Sequence, residues 1–370
     1  MKEITKIGAS EIKTLTLVVM GTKVFLGLPR YFIEVGSTAG WMLPLLSGAV
    51  SLVLWHWLSG LLKRYPGENI VRITEKVAGR VPGFIINFLL LLYIVITSGN
   101  LLREFADAVL ISALPDTPIS IVAILFVLTA FMACYLGLEP IVRSAYIFFP
   151  LILAGIAGIL FSSLPNIDLT QVYPLFGSGI KNILLYIAPL CSVFGEVIIL
   201  IILVPYFSFD LKETKKIGSR SIILTSLLYS ITTLVYQLAI PYPGSIESYL
   251  PFYQLARSID FGRFFHRLEA VFILFWTFAA YIRISVGMFV SAYIYKEIFR
   301  IPLQKPLKPA IAVLFFTIAL VPKNISESVQ IELLRLMIGG LFTFLIPLIV
   351  LLVAVFRQKG EWNESAEKKG

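Results

Sequence analysis

The chain has 370 residues, of which 58% are hydrophobic and only 14% are charged, and its formal net charge is +9. Soluble domains carry about 25% charged residues, so this composition excludes a water-soluble globular protein. Cys134 and Cys191 both lie within apolar segments, and His56 and His266 are far apart in the sequence. This placement argues against a disulfide framework and against a metal site. We therefore expect an integral membrane protein that uses no metal ion and no other cofactor.

Ten apolar segments follow one another along the chain, and all but the short ninth approach the length of about 20 residues that crosses a membrane. They predict an all-α integral membrane protein with ten transmembrane helices in a single transmembrane domain, residues 1–370, ending in a cytoplasmic tail, residues 357–370. The predicted spans are residues 12–32, 40–62, 83–112, 119–138, 141–162, 182–207, 217–240, 268–296, 309–322 and 333–356.

The distribution of Lys and Arg predicts the orientation of the spans. With the N-terminus in the cytoplasm, 21 of the 31 basic residues fall in inner loops and tails and six fall in outer loops. Cytoplasmic loops carry such an excess, so we expect both termini to be cytoplasmic. The positive charge is then a signal of topology that faces anionic lipid, and we expect no nucleic-acid partner.

Ten spans with both termini on one side divide into two sets of five with opposite orientations, as an inverted repeat requires. We assign residues from about 12 to 162 to the first repeat and residues from about 182 to 356 to the second. No convincing similarity between individual residues of the two halves supports the repeat, which is visible in the hydropathy and in two interrupted segments.

The first and sixth segments are each interrupted near the middle by a glycine and a charge. A charge at the bilayer centre costs about 2.5–3.5 kcal/mol on insertion scales, so it rarely persists without a role. The free N–H groups at the start of a half-helix suit a carboxylate, and the free carbonyls at the end of one suit an ammonium group or a sodium ion. Two broken helices therefore predict a site for a free amino acid. The candidate ligand-binding residues at the breaks are Gly21, Thr22, Lys23, Val24 and Phe25 in helix 1 and Ser192, Phe194, Gly195 and Glu196 in helix 6.

Lys23, Glu196 and Arg283 are three charges of alternating sign near the middles of spans one, six and eight. Buried charges persist by pairing, so we expect a shared midplane network. Two interpretations remain open, because the network either locks the helices together as a structural ion pair or presents Lys23 or Glu196 to a ligand.

Polar side chains form a stripe along one face of two further spans. Such stripes face the protein interior in a membrane, either to line a site or to form hydrogen bonds between helices. Phe25, Phe194 and Tyr281 could also close an apolar side-chain pocket or simply pack. The stripes consist of Tyr93, Thr97, Asn100 and Glu104 in span three and of Thr277, Tyr281 and Ser285 in span eight, of which Tyr93, Thr97, Thr277 and Tyr281 are candidate ligand contacts.

The segment from Gly21 to Arg30, with the sequence GTKVFLGLPR, resembles the first-helix signature of the spore germination permease family. The members of this family are the B subunits of nutrient germinant receptors. The resemblance extends to the Gly195-Glu196 break, the length and the C-terminal tail. It implies the leucine-transporter-like fold of the amino acid–polyamine–organocation superfamily. It also implies nutrient sensing in the spore inner membrane together with a larger membrane A subunit and a lipoprotein C subunit.

Two classes of function remain open from the sequence, a ligand-sensing receptor subunit and an amino-acid permease or symporter that works by alternating access. A channel lined by the stripe of span three is a weaker third interpretation. An enzyme is not expected, because the sequence contains no nucleophile–base pair, phosphate-binding loop or metal cluster. We also hypothesise that the Lys23 ammonium takes the place of a coupling cation or neutralises Glu196, so that no sodium ion is needed.

Overall fold

The computed structural model describes residues 6–259 and 268–357. The predicted tail beyond Arg357 and the outer-loop residues Arg263, His266 and Arg267 lie outside the described residues. Within the described ranges the chain is helical and contains no β-strand, and its one isolated bridge joins Ile7 to Phe207. The α-helices are α1 Ala9–Gly21, α2 Leu28–Gly36, α3 Met42–Arg64, α4 Ile70–Ala78, α5 Arg80–Ser112, α6 Ile119–Leu136, α7 Leu138–Ser162, α8 Ile180–Leu190, α9 Ile199–Ile202, α10 Leu211–Ala239, α11 Pro251–Arg257, α12 Leu268–Phe299, α13 Lys308–Ala319, α14 Ile325–Gly340 and α15 Ile346–Phe356.

Eight of the described helices or helix pairs are long and apolar enough to cross a membrane, and a ninth span results if the bent pair at the N-terminus counts as one. The predicted ninth segment, 309–322, corresponds to α13, which has only 12 residues. The structure therefore supports a protein with many membrane-spanning helices, and the number ten stays a prediction.

The helices begin and end at local turn chemistry. Gly137 has a φ of 127° and is the single residue between α6 and α7. This conformation is accessible to glycine at little cost, so two long helices can meet without a loop. Asn69 accepts a hydrogen bond from the Arg72 backbone N–H and caps α4, a short amphipathic helix that lies between the predicted spans two and three.

The last span begins earlier than the sequence pattern predicts. The Asn324 side chain accepts a hydrogen bond of 3.0 Å from the Glu327 backbone N–H and caps α14. From there the chain continues through a π-helical turn, Leu341–Leu345, into α15. As a result Glu332, which precedes the predicted span 333–356, lies in the same helix as Arg335.

α3 and α10 pack closely against each other through hydroxyl groups and a glycine. α10 packs along α3, where the Ser226 hydroxyl donates to the Pro44 carbonyl at 2.8 Å. An added Cβ on Gly218 of α10 would lie 2.2 Å from the Trp55 ring, so only glycine fits against this buried side chain. Interfaces of small residues and hydroxyls are typical of helices in lipid, where association depends on close packing.

Candidate functional site

The α-helical geometry of the chain changes near Gly21, within the first predicted span. α1 ends at Gly21, a 3₁₀ turn occupies Thr22–Phe25, and α2 then begins at Leu28. The two halves of the span are bent by 63°. At the bend the Tyr229 hydroxyl of α10 donates a hydrogen bond to the Met20 carbonyl. A backbone acceptor next to the interruption is thus satisfied by a side chain from another helix, as a buried carbonyl requires.

The sixth predicted span contains a second irregular stretch. α8 ends at Leu190, and a 3₁₀ run, Cys191–Ile198, leads into the single turn of α9. The Ser192 hydroxyl donates a hydrogen bond of 2.6 Å to the Leu336 carbonyl of α14. This hydrogen bond attaches the 3₁₀ run to the last span, and Lys23 of the first span contacts the run at Val193 and Glu196.

Glu196 lies between two cations contributed by two other spans. Its Oε2 is 2.7 Å from Lys23 Nζ, and its Oε1 is 2.8 Å from Arg283 Nη2. The side chains of Lys23, Arg283 and Glu196 are 3%, 9% and 15% exposed. The structure thus brings the three charges of the predicted network together, and each carboxylate oxygen of Glu196 has its own cation.

Arg335, which is buried, and Glu332, which is half-buried, form a second ion pair on α14. They are three residues apart on the helix, and Arg335 donates to Glu332 from Nε at 2.6 Å and from Nη2. These two residues were not among the predicted site residues. The signal that could have revealed them is a pair of opposite charges at i and i+3 close to an apolar run, since that spacing places both on one helix face.

A cavity of about 80 Å³, here called the Arg283 cavity, lies beside this double network. Its polar lining comes from α5, the 3₁₀ run, α12, α14 and the π-helical turn. Of the predicted site residues, Tyr93, Thr97, Gly195, Glu196 and Arg283 line it. Its other polar lining residues are Ser98, Glu332, Arg335 and Thr343.

A second cavity of about 60 Å³, the Lys23 cavity, has Lys23 in its wall but neither Glu196 nor Arg283. Lys23, Glu104 and Glu332 line it together with Arg30 and Glu34 of α2, and most of its remaining wall is apolar. Glu332 therefore borders both cavities. Each cavity is large enough for several water molecules, since one water needs about 10–15 Å³.

Other members of the predicted set do not line either of these two cavities. Thr277 donates its hydroxyl hydrogen bond to the Ile273 carbonyl of its own helix. Phe25 packs edge-on against Phe252 at 5.7 Å, and Phe194 lies 6.1 Å from the Tyr229 ring. The same holds for Gly21, Thr22, Val24, Ser192 and Tyr281, so a ligand contact for these residues stays a prediction.

The remaining polar residues of the α5 stripe form hydrogen bonds between helices. Asn100 Nδ2 donates to Glu104 Oε1 at 2.8 Å and to the Ser328 carbonyl of α14 at 3.2 Å. The Ser328 hydroxyl in turn donates to Asn100 Oδ1. This part of the stripe attaches α5 to α14. Within residues 6–259 and 268–357, no three His, Cys, Asp or Glu side chains are grouped so that they could hold a metal ion.

Comparison with known proteins gives relatives along nearly the whole chain. The sequence is 26% identical over 346 residues to spore germination protein KB of Bacillus subtilis (strain 168), covering 90% of this chain and 92% of that protein. It is 26% identical over 306 residues to spore germination protein B2 of the same organism, covering 82% and 83% of the two chains.

The similar solved structures are membrane transporters. One is Mhp1, a nucleobase-cation-symport-1 family transporter in a closed conformation with bromovinylhydantoin bound (TM-score 0.67, 13% identity, 92% of this chain and 78% of that chain). Another is a Na⁺-coupled sialic acid symporter in an outward-open state (TM-score 0.64, 10% identity, 92% and 78%). At these identities the likeness concerns the fold alone.

The model of the family described as spore germination protein, also named the spore permease family, matches residues 6–328 of the sequence. Together with the relatives of similar length, this match covers the first interruption, the buried charge network and most of the spans. The chain belongs to the spore germination protein family.

Proposed function

We propose that this protein is the B-type subunit of a nutrient germinant receptor. In this proposal it binds a small ligand, for which we expect an amino acid, at a midplane site between helices 1, 3, 6 and 8. The observation that carries the proposal is the network of Lys23, Glu196 and Arg283, which three spanning elements contribute and which two cavities flank. Buried ionisable groups at such a place indicate a functional site more often than a packing device.

The finer description of the fold belongs to this proposal. We propose ten spans in two inverted repeats of five, with helices 1 and 6 broken in the leucine-transporter-like manner and with both termini in the cytoplasm. The bend after α1 and the 3₁₀ run Cys191–Ile198 support the breaks. The similarity of the fold to two symporters supports the architecture.

Ligand binding would act on the network through charge. A zwitterion that approaches Lys23 and Glu196 offers each of them a second partner of opposite sign, so the 2.7 Å contact between them can weaken without leaving a bare charge. Removing one partner from a buried pair without replacement costs about 3–5 kcal/mol. An exchange of partners therefore gives the ligand a means of changing the angle between α1 and α2.

Signalling would follow from that change of angle, which other subunits read. We propose that the partners are a larger membrane A subunit and a lipoprotein C subunit, and that the complex lies in the spore inner membrane. The names of the relatives as spore germination proteins support the biological role. Co-purification of the full-length chain with two such subunits from spores is the expected result.

The alternative is an amino-acid permease or symporter that moves its substrate by alternating access, and the likeness in fold to two symporters is the observation that favours it. Purified protein in proteoliposomes separates the two. A receptor subunit binds radiolabelled amino acid without net uptake, whereas a permease accumulates the label inside the vesicles. Uptake that Glu196→Gln abolishes would overturn the receptor proposal.

We also propose that the Lys23 ammonium provides the positive charge that a coupling cation would otherwise supply. Lys23 Nζ contacts both Glu196 and the Val193 carbonyl, which are acceptors that would suit a cation. Ligand binding should then be equal in sodium and in choline buffers. A binding constant that depends on sodium in the wild-type protein would contradict this.

A further inference from the structure

We propose that the Arg283 cavity is a subsite for a monovalent anionic group and that Arg283 Nη1 is the atom that receives it. The anion is either the carboxylate of the ligand or a free halide ion. This inference rests on the proposed function, because it concerns the same midplane site. It goes further because it states that the group that anchors the ligand is negatively charged and that this group contacts Arg283 Nη1.

The first support is a buried donor without a partner. Arg283 is 9% exposed, and its Nη2 donates to Glu196 Oε1 at 2.8 Å. Its Nη1 is buried and has no hydrogen-bond partner within the described residues. A buried donor of a charged group that lacks an acceptor is costly, and this one belongs to a side chain that lines a cavity. An acceptor in the cavity would remove that cost.

The second support is the charge of the network around the cavity. Lys23, Arg283 and Arg335 carry three positive charges, and Glu196 and Glu332 carry two negative charges. Glu196 alone is paired with two of these cations, Lys23 and Arg283, whereas Glu332 is paired with Arg335. A third buried carboxylate, Glu104, lines the Lys23 cavity beside Lys23 and accepts a hydrogen bond from Asn100, so three carboxylates match the three cations overall. Because Arg283 shares the carboxylate of Glu196 with Lys23, an anion in the Arg283 cavity would give its guanidinium group an acceptor of its own.

The third support is the shape and chemistry of the wall. Tyr93, Thr97, Ser98 and Thr343 bring hydroxyl groups to the same cavity as the two guanidinium groups. A guanidinium group binds carboxylates through parallel N–H donors, and hydroxyls can accept or donate as needed. Apolar residues of α5, α9 and α12, such as Ile94, complete the lining. The volume of about 80 Å³ suits a small carboxylate with a short aliphatic group.

The position of this subsite differs from that expected from helix ends alone. The sequence predicts that backbone N–H groups at a break bind a carboxylate. In the structure the positive group of the network with an unpartnered nitrogen is Arg283 of α12, which contacts the other carboxylate oxygen of Glu196 from the one that Lys23 contacts. Lys23 donates to Glu196 and to the Val193 carbonyl, whereas Arg283 Nη1 lacks an acceptor within the described residues. A zwitterion anchored there would keep its ammonium group within the reach of Glu196 or Glu332.

The test is anion binding by the purified full-length protein in detergent, with sulfate as the bulk anion. The probes are sodium acetate, its neutral counterpart acetamide, L-alanine, L-alaninamide and sodium chloride. Thermal unfolding and isothermal titration should give a saturable effect with acetate and L-alanine and none with the two amides. Chloride that competes with acetate would identify a free halide as the natural occupant, whereas binding by L-alanine but not by chloride would identify the ligand carboxylate.

Arg283→Lys is the decisive variant, because it keeps the positive charge beside Glu196 and removes the guanidinium nitrogen Nη1 that has no partner. We expect its affinity for acetate or chloride to fall at least ten-fold. Arg143→Lys, a change of the same type at an exposed residue paired with Glu139, should bind like the wild type. If Arg283→Lys does not fold, Tyr93→Phe removes a hydroxyl from the same wall and should weaken binding several-fold.

The inference is overturned if no anion gives a saturable effect or if Arg283→Lys binds anions as the wild type does. These results are distinct from a failure of the proposed function. If L-alaninamide or D-glucose binds and Glu196→Gln weakens that binding, the midplane ligand site is supported and the anion subsite is refuted. If anions bind but no germination response follows, the anion subsite is supported and the receptor role is refuted.

Discussion

The ammonium group of Lys23 donates a hydrogen bond of 2.6 Å to the carbonyl oxygen of Val193, in addition to its ion pair with Glu196. One side chain from the first interruption thus binds both the backbone and a side chain of the second. Most lysine side chains in membrane proteins extend toward the interface with water, but this one is 3% exposed. The two irregular segments are held together by these contacts, so a change at one of them reaches the other.

The Lys23–Glu196 pair should show strong coupling in a double-mutant cycle. Lys23→Met alone leaves Glu196 with only Arg283, and Glu196→Gln alone leaves two buried cations without a carboxylate, so each should lower the free energy of unfolding by about 3 kcal/mol or more. The double variant should be more stable than the sum of the two changes predicts. Unfolding in detergent measures all four proteins.

The matched control for this cycle is Lys76 with Glu68, an ion pair whose side chains are 58% and 26% exposed. Exposed pairs contribute about 0–1 kcal/mol, so Lys76→Met and Glu68→Gln should have small and additive effects. Small and additive effects at Lys23 and Glu196 as well would mean that the midplane contact contributes little to stability.

Gly339→Ala should disturb the wall of the Arg283 cavity. A Cβ at this position would lie 2.6 Å from the Tyr93 hydroxyl oxygen and 3.1 Å from the Ser192 Cβ. Overpacking of this kind costs about 1–3 kcal/mol, and here it would also move a residue of the proposed site. We expect lower thermal stability together with weaker ligand binding.

The neighbouring residue provides the control for this change. A Cβ on Gly340 meets no atom within 4 Å, so Gly340→Ala should be neutral or slightly stabilising, by up to about 1 kcal/mol from helix propensity. Tyr93→Phe should restore part of the stability that Gly339→Ala loses, because it removes the hydroxyl oxygen that the added Cβ would approach. Equal stability of the two alanine variants would contradict the close approach of α5 and α14.

Tyr229→Phe should destabilise the bend between α1 and α2. The change removes the hydroxyl that donates to the Met20 carbonyl, and Tyr229 is fully buried. An unsatisfied buried acceptor costs about 1–3 kcal/mol. Faster hydrogen exchange across residues 18–25 in mass spectrometry is the expected signature. The control is Tyr146→Phe, whose side chain is 52% exposed; a similar change in exchange for both variants would refute a role of the hydroxyl at the bend.

Glu297→Gln should loosen the packing of α4 on the end of α12. Glu297 accepts hydrogen bonds from Arg72 Nε at 2.7 Å and from Asn69 Nδ2 at 3.2 Å, and its side chain is 4% exposed. The neutral amide keeps the shape and loses the charge that holds Arg72. Hydrogen exchange in α4 should rise several-fold, and exchange in α6, which serves as the internal reference, should not. If hydrogen exchange in α4 is unchanged in this variant, the stability of α4 comes from apolar packing and not from the charge of Glu297.

The sequence allowed the class of the protein to be predicted, because the class depends on local composition, and the proposed break in the first span rests on the same kind of local signal. The apolar length of a span and a glycine beside a charge are visible in any short window. The meeting of Lys23, Glu196 and Arg283 could be expected from the cost of isolated charges in a membrane, although the assignment of two cations to the two oxygens of Glu196 required the coordinates.

Other parts of the site depend on contacts between residues that are far apart in the sequence. Tyr93 and Thr97 line the Arg283 cavity, whereas Asn100 and Glu104 on the same predicted stripe bind each other and α14. The difference comes from where α14 crosses α5, and the sequence does not specify that crossing. Glu332 was missed because the last span begins at Ile325, eight residues before the apolar run suggests.

Glu332 lines both cavities, and its ion-pair partner Arg335 lies on the same helix. Because Arg335 holds the Glu332 carboxylate from one turn further along α14, its position does not depend on Lys23, Glu196 or Arg283. A rotation of α14 about its axis would move both charges together, and with them part of the wall of each cavity, while Lys23, Glu196 and Arg283 kept their contacts with one another. α14 therefore carries a charged pair that can move as a unit relative to the network formed by the other three spans.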